Sequence, residues 1–161
     1  MLIGRMLRRH EDEGFTLVEL MMVVLIIGIL IAIAMPTFLG AKKKAGDKAV
    51  QASLRNAFTN AKSIFATQEA YPATAALVTD LTTSEPSLQF VSNTTPSTGP
   101  NVISVMQVSS TVVVLAGLSR SGTCFTFQDN ELGGVNYGPP AAPATCTADD
   151  AATAGVTGTS W

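Results

Sequence analysis

The chain is organised around residues 14–41, which read GFTLVELMMVVLIIGILIAIAMPTFLGA. Residues 20–41 carry no charge. A helix of about 22 residues, rising about 1.5 Å per residue, is long enough to cross roughly 30 Å of hydrocarbon. We therefore expect this stretch to form a membrane-spanning helix.

Glu19 is the one acidic residue inside the apolar stretch. A charged side chain at the centre of a membrane helix costs roughly 2.5–3.5 kcal/mol, whereas each Leu, Ile, Phe or Val contributes about −0.3 to −0.6 kcal/mol. Fifteen such apolar residues lie between Phe15 and Leu39. Insertion therefore stays favourable, and Glu19 is an acid that needs a partner.

This stretch resembles the N-terminus of type IV pilins and of the pseudopilins of type II secretion. The run Gly14-Phe15-Thr16-Leu17-Val18-Glu19 and the apolar segment after it, with Gly28 and Pro36, carry the resemblance. It implies cleavage by a prepilin peptidase after Gly14, methylation of the new amino terminus at Phe15, and assembly guided by Phe15 and Glu19. It also implies a loosened helix between Gly28 and Pro36. The resemblance is specific over this stretch and weak beyond it.

Residues 1–14 form a charged leader, with Arg5, Arg8 and Arg9 followed by three acids. A conventional secretory signal also begins basic and turns apolar, and residues 32–34 offer a small-x-small cleavage site. The acids before the apolar run, Glu19 inside it and its length disfavour that alternative. Lysines on the far side leave charge counting ambiguous, so the cysteine pair and the resemblance place the C-terminal side outside the cytoplasm.

Charge is unevenly distributed along the 161 residues, although the formal net charge is only −2. Residues 15–69 carry six basic and three acidic side chains, and residues 70–161 carry one basic and six acidic. Attraction between a basic stem and an acidic head is one interpretation, and ordinary solvated charge is the other. Lysines 42–44 lack interleaved aromatic residues, so we expect them to contact anionic lipid and not to bind nucleic acid specifically.

The sequence predicts an α+β fold of the type IV pilin kind, with a long N-terminal helix packed against a small antiparallel sheet. Apolar residues spaced by three and four extend the helix to about residue 69, and Tyr71-Pro72 ends it. Residues rich in Val, Ile, Thr and Phe at 102–108, 111–118 and 123–128 predict a three-stranded meander, with another short strand at 88–91.

Four segments follow from this interpretation: a leader (1–14), a transmembrane and filament-core helix (15–41), its amphipathic continuation (42–69) and a head with a disulfide-tethered tail (70–161). The tail from residue 133 is rich in Gly, Ala, Pro and Thr, and we expect it to build little core. We expect Trp161 to pack back on the head, with a subunit contact as the alternative.

Cys124 and Cys146 are the two cysteines of the chain. Outside the cytoplasm a disulfide is the favoured state, and loop-closure entropy predicts a stabilisation of roughly 3 kcal/mol. Two free buried thiols are the alternative. A metal pair is disfavoured, because the single histidine, His10, lies in the leader.

The head lacks the residue types of common catalytic sites. Without the leader no histidine remains for a catalytic triad, and there is no phosphate-binding glycine motif. The acidic runs Asp149-Asp150 and Asp129-Asn130-Glu131 lack the spacing of a calcium loop, so we expect solvated turns there. We expect no catalysis, cofactor or metal, and no glycan at the triplet that begins at Asn93.

The sequence thus predicts a structural subunit of a type IV pilus-like filament, held in the cytoplasmic membrane before assembly and displayed at the cell surface afterwards. The resemblance implies four partners: other copies of the chain, prepilin peptidase, an inner-membrane assembly platform and lipid. A pseudopilin of a type II secretion system or a minor pilin is the alternative with the same stem. An unprocessed single-pass protein whose head binds a soluble ligand is the alternative from another class.

Overall fold

The computed structural model describes residues 14–138 and 145–161, so most of the predicted leader, with His10, lies outside the described residues. The helices are α1 (Leu17–Gln68), α2 (Thr74–Ser84) and α3 (Ala148–Ala154). The strands are β1 (Gln89–Ser92), β2 (Val102–Ser109), β3 (Val112–Leu118), β4 (Cys124–Asn130) and β5 (Gly134–Tyr137). The predicted α+β class is confirmed. The chain divides into two compact units, one ending at Gly40 and the other running from Ala41 to Trp161.

Helix α1 has a defined signal at each end. The hydroxyl of Thr16 accepts a hydrogen bond from the backbone N–H of Glu19 at 3.2 Å, which caps the first turn. At the other end Glu69 has a φ of 56°, in the left-handed region where a helix terminates. The N–H of Tyr71 then bonds to the carbonyl of Ser110, and this directs the chain to the sheet. The predicted limits, 16 and 69, agree with α1 to within one residue.

The strands form one sheet in the order β1-β2-β3-β4-β5. Strands β2, β3 and β4 are the predicted antiparallel meander. Strand β5 extends it antiparallel to β4, and β1 lies parallel to β2 at the opposite edge. The tail was expected to build little core, and no residue of β5 is buried, so this strand is held by backbone pairing, which needs no large side chains.

The core of the second unit lies between the C-terminal part of α1 and one face of the sheet. Gly117 of β3 allows the close approach, since a Cβ there would lie 2.7 Å from Cγ2 of Val50. The opposite face of the sheet is covered by α3 and the disulfide. Buried on the α1 side are Val50, Leu54, Ala57, Ala61, Ile64, Ile103, Val105, Val113, Leu115, Phe125 and Phe127.

Trp161 packs against the head, as expected. Its ring contacts those of Phe127 and Tyr137, with centroids 5.9 and 4.6 Å away. The indole N–H donates to the carbonyl of Thr126 at 3.1 Å. The guanidinium of Arg55 lies 5.6 Å from the ring centroid, which adds a cation–π contact from α1. Trp161 therefore packs against the core cluster and is partly buried there.

Candidate assembly site

The N-terminal part of α1 is apolar and uncovered. Every residue from 14 to 45 is exposed, including Phe15 at 79% and Ile33 at 69% of their full surface. Among the described residues, α1 is the helix that is long and apolar enough to cross a membrane. A helix that is apolar around its whole circumference must be covered by lipid or by other protein. Residues 14–40 therefore present an apolar surface that needs lipid or protein to cover it.

The predicted processing site lies immediately before this helix. Gly14, Phe15 and Thr16 are non-helical and exposed, and a Cβ at Gly14 would meet no atom within 4 Å. A peptidase needs an accessible backbone outside regular secondary structure, and this segment offers one next to a capped helix. Cleavage after Gly14 and methylation of Phe15 remain predictions.

Glu19 occupies the third position of α1, and Thr16 caps the same helix. The pair has the spacing of a capping box, in which a Ser or Thr cap is followed three residues later by an acid or amide. A carboxylate here also interacts favourably with the positive end of the helix dipole. The described residues form no salt bridge with Glu19, so its charge is open to a partner outside this chain.

Gly28 and Pro36 both lie inside a continuous helix. A Cβ at Gly28 would contact nothing within 4 Å, so the glycine is not required by packing within this chain. Pro36 has no N–H to donate to the carbonyl one turn earlier, which weakens the helix locally. The hydroxyl of Thr37 bonds to the carbonyl of Ala34 at 2.8 Å in the same turn. Loosening of the helix between Gly28 and Pro36 stays a prediction.

The predicted disulfide between Cys124 and Cys146 is present. It joins the first residue of β4 to the segment that leads into α3, and both cysteines are 3% exposed. The N–H of Ser97 donates to the carbonyl of Cys146 at 2.8 Å, which fixes the same segment to the loop before β2. The bridge thus attaches the C-terminal tail to the sheet.

Asp129 corrects the prediction of a solvated turn for Asp129-Asn130-Glu131. It belongs to β4 and is 1% exposed, because the alternation that buries Phe125 and Phe127 also turns Asp129 inward. Lys62 of α1 reaches it, with 2.9 Å between Nζ and Oδ2. The alternation of Phe125, Phe127 and Asp129 along the strand is visible in the sequence and indicates that Asp129 faces inward. The prediction of a solvated turn considered only the charge of the run and not this alternation.

The side chains of Glu131 and Tyr71 also contact this ion pair, so that Lys62, Asp129, Glu131 and Tyr71 form one cluster. Nζ of Lys62 lies 2.5 Å from Oε1 of Glu131, and the hydroxyl of Tyr71 donates to Oδ2 of Asp129 at 2.5 Å. Burial and the hydrogen bond to Asp129 raise the pKa of Tyr71 well above its usual value, so the phenol stays protonated. Burial lowers the pKa of Lys62, but the hydrogen bonds and charges of Glu131 and Asp129 outweigh it and raise the pKa overall.

The second acidic run, Asp149-Asp150, is exposed as expected but lies in the first turn of α3, which Thr147 caps, and not in a loop. The N–H of Asp150 donates to the hydroxyl of Thr147, and the hydroxyl of Thr145 donates to Oδ2 of Asp150 at 2.6 Å. Hydrogen bonds from Thr145 and Thr147 lower the pKa of Asp150. Within residues 14–138 and 145–161, no three His, Cys, Asp or Glu side chains are grouped so that they could hold a metal ion.

Comparison with known proteins finds similarity over part of the chain. The family described as "Prokaryotic N-terminal methylation motif" matches residues 9–35. The "Type IV major pilin protein PilA" of Myxococcus xanthus is 42% identical over 61 residues, which cover 38% of this chain and 28% of that protein. No solved structure matches significantly.

Two further relatives match over shorter segments. The "Type IV wide pilus major component PilA4" of Thermus thermophilus is 46% identical over 48 residues, 30% of this chain and 37% of that protein. The "Competence protein ComGC" of Halalkalibacterium halodurans is 44% identical over 46 residues, 29% of this chain and 45% of that protein. The matched segments thus span less than half the length of each relative. The chain carries the prokaryotic N-terminal methylation motif at residues 9–35 and is similar to type IV pilins over segments of 48 and 61 residues.

Proposed function

We propose that the chain is a subunit of a type IV pilus-like filament that assembles through the N-terminal part of α1. The observation that carries the proposal is the exposure of every residue from 14 to 45, of which residues 20–41 form an uncharged apolar helical segment. Lipid covers this surface before assembly, and the same surface of other copies covers it in the filament. The methylation motif on the same residues supports this interpretation.

Processing and assembly are linked in this proposal. Prepilin peptidase cleaves after Gly14, and the new amino terminus of Phe15 keeps a positive charge after methylation. Glu19 of a neighbouring subunit is its partner, since an unpaired carboxylate in an apolar filament core is costly. An inner-membrane platform adds each subunit while the disulfide-bonded head lies outside the cytoplasm. The exposed lysines 42–44 contact anionic lipid until then.

A second candidate is a minor pilin or a pseudopilin of a type II secretion system. It has the same stem, and one relative is described as a competence protein, whereas the two others are described as major pilus components. A single-pass protein that keeps its leader and binds a ligand through the head is the candidate from another class. These candidates differ in where the protein is found.

Immunogold labelling with an antibody against the head separates the candidates. In cells that express the chain we expect gold along the whole length of surface filaments, because a major subunit occupies every position. Cells that lack the gene provide the control. Sparse label would identify a minor pilin, and label confined to the cell envelope together with a secretion defect would identify a pseudopilin. Label confined to the envelope, with an intact leader and no secretion defect, would contradict the filament proposal.

A further inference from the structure

The cluster of Lys62, Asp129, Glu131 and Tyr71 brings one amine into contact with two carboxylates, and a phenol donates to one of these. Lys62 projects from α1, Asp129 from β4 and Glu131 from the residues directly after β4. Nζ of Lys62 is in contact with carboxylate oxygens of both acids, 2.9 Å from Oδ2 of Asp129 and 2.5 Å from Oε1 of Glu131. The fold thus holds together the amine of Lys62, the carboxyl group of Asp129 and the carboxylate of Glu131, which can exchange protons with the amine.

Asp129 is unusual because only one of its carboxylate oxygens is satisfied. Oδ2 accepts from Tyr71 and contacts Lys62, whereas Oδ1 is buried without a hydrogen-bond partner. A buried oxygen that lacks a donor costs on the order of 1–3 kcal/mol and calls for an explanation. A reaction that removes Oδ1 and keeps the bond from Tyr71 to Oδ2 would eliminate this cost.

We propose that Lys62 and Asp129 condense to an intramolecular amide that joins α1 covalently to β4. A proton moves from Nζ to the carboxylate of Asp129, which gives a neutral amine and a carboxylic acid. Nζ then attacks Cγ, Glu131 accepts a proton from Nζ and passes it to Oδ1, and Oδ1 leaves as water. One C–N bond forms and one C–O bond breaks. No oxidant, reductant or cofactor is needed.

The surroundings of the cluster favour this chemistry. Asp129 is 1% exposed, and the rings of Phe58 and Phe65 have their centroids 5.8 and 6.0 Å from Nζ. Burial of Asp129 disfavours its charged form and shields the amide carbonyl from water, whereas the Lys62 and Glu131 side chains, 36% and 24% exposed, can exchange protons with solvent. Tyr71 donates to the oxygen that becomes the amide carbonyl and can stabilise negative charge that develops on it. Because the pKa of Lys62 is raised, the neutral amine is a minor species, and condensation is slower than ion pairing.

The cross-link would connect the stem helix to β4, an inner strand of the sheet. A force on α1 would then reach the head through a covalent bond as well as through the apolar core. The inference rests on the geometry of the second compact unit, residues 41–161, and does not require that the chain form filaments.

Intact mass of the full-length chain, purified in detergent, then reduced and denatured, tests the inference. We expect a mass lower by one water than the sequence of the recovered chain predicts, and a branched peptide that contains Lys62 and Asp129. A cyclic imide at an aspartate also loses one water, so a Lys62→Arg variant is the matched control. Arginine keeps the positive charge but does not condense, and the missing water should return in this variant only if the amide was its source.

A second pair of variants tests the role of Glu131. Glu131→Gln removes the proton acceptor and should slow formation of the cross-link by about 100-fold or more. Glu85→Gln, which alters an acid that contacts Ser87 and not Lys62, should leave the rate unchanged. Circular dichroism verifies that each variant is folded. Wild-type protein with the full mass and with separate peptides bearing free Lys62 and Asp129 would overturn the inference, even if the same protein were recovered from filaments.

Discussion

A Glu19→Ala variant is expected to be inserted and cleaved normally but to be nearly absent from filaments when it is the only subunit. Removal of a charge makes insertion easier, so the membrane-held form should accumulate. In the filament, the amino terminus of Phe15 on a neighbouring subunit would lose its partner, and an unpaired buried charge costs about 3–5 kcal/mol. Such a loss reduces the affinity of a subunit for its site by roughly 100-fold or more.

Two control variants separate the charge of Glu19 from its place in the capping box. Glu19→Gln retains a side chain suited to the capping box and loses the charge, so its defect should approach that of alanine. Thr16→Ala removes the hydroxyl that accepts from the N–H of Glu19 and keeps the carboxylate, so it should assemble far better. Immunoblots of membrane and sheared fractions, in a strain without the wild-type subunit, measure these differences. Normal filament yield from Glu19→Ala would refute this role of the acid.

Replacement of both Cys124 and Cys146 by serine should lower the free energy of unfolding of the head by about 3 kcal/mol. The bridge spans a sequence separation of 22 residues, and its loss gives the unfolded chain more conformational freedom. Both positions are 3% exposed, so the serine hydroxyls would also be buried. Urea denaturation of the full chain in detergent measures the loss, and less protein should reach the surface.

Reductant provides the matching control for the disulfide. It should destabilise wild-type protein by a similar amount and leave the double variant unchanged, because only the former has a bridge to lose. Equal unfolding free energies for the wild-type protein and the double variant would contradict the stabilising role of the bridge, as would two free thiols in native protein mapped without reductant.

The sequence was most informative where side-chain periodicity and local signals agree. Thr16, the spacing of Val50, Leu54 and Ala57, and the Tyr71-Pro72 step define α1 and its buried face. Strands β2 to β4 follow from runs of β-branched and aromatic residues. In these elements local preference and tertiary packing favour the same structure.

Helix α2 and strand β5 were not predicted, and the short strand predicted at 88–91 came without its pairing partner, because tertiary contacts determine these features. Helix α2 is rich in threonine, a poor helix former, yet Leu77 and Leu81 lie one turn apart and are fully buried. Threonine hydroxyls in α2, such as that of Thr79, bond to the carbonyls four residues earlier. Strand β5 depends on pairing with β4, and β1 on its parallel contact with β2, and neither has a strong signal of its own.

Some residues of the candidate site could likewise be predicted from a local motif, whereas others depend on the fold. Gly14, Phe15 and Glu19 were identified from a local motif, and the structure places them on an exposed segment at the start of α1. Asp129 required the register of β4 together with the position of Lys62, which is distant in sequence. Contacts between residues far apart in the chain, such as Lys62 and Asp129, can be identified only from the folded structure.

The mass of the mature protein tests the proposed function most directly. Protein recovered from sheared surface filaments should begin at Phe15, with residues 1–14 removed and one methyl group on the new amino terminus. Tandem mass spectrometry of the N-terminal peptide locates both changes and is independent of any cross-link in the head. A chain that begins at Met1, or at Met35 after cleavage by a conventional signal peptidase, would contradict assembly through the processed helix.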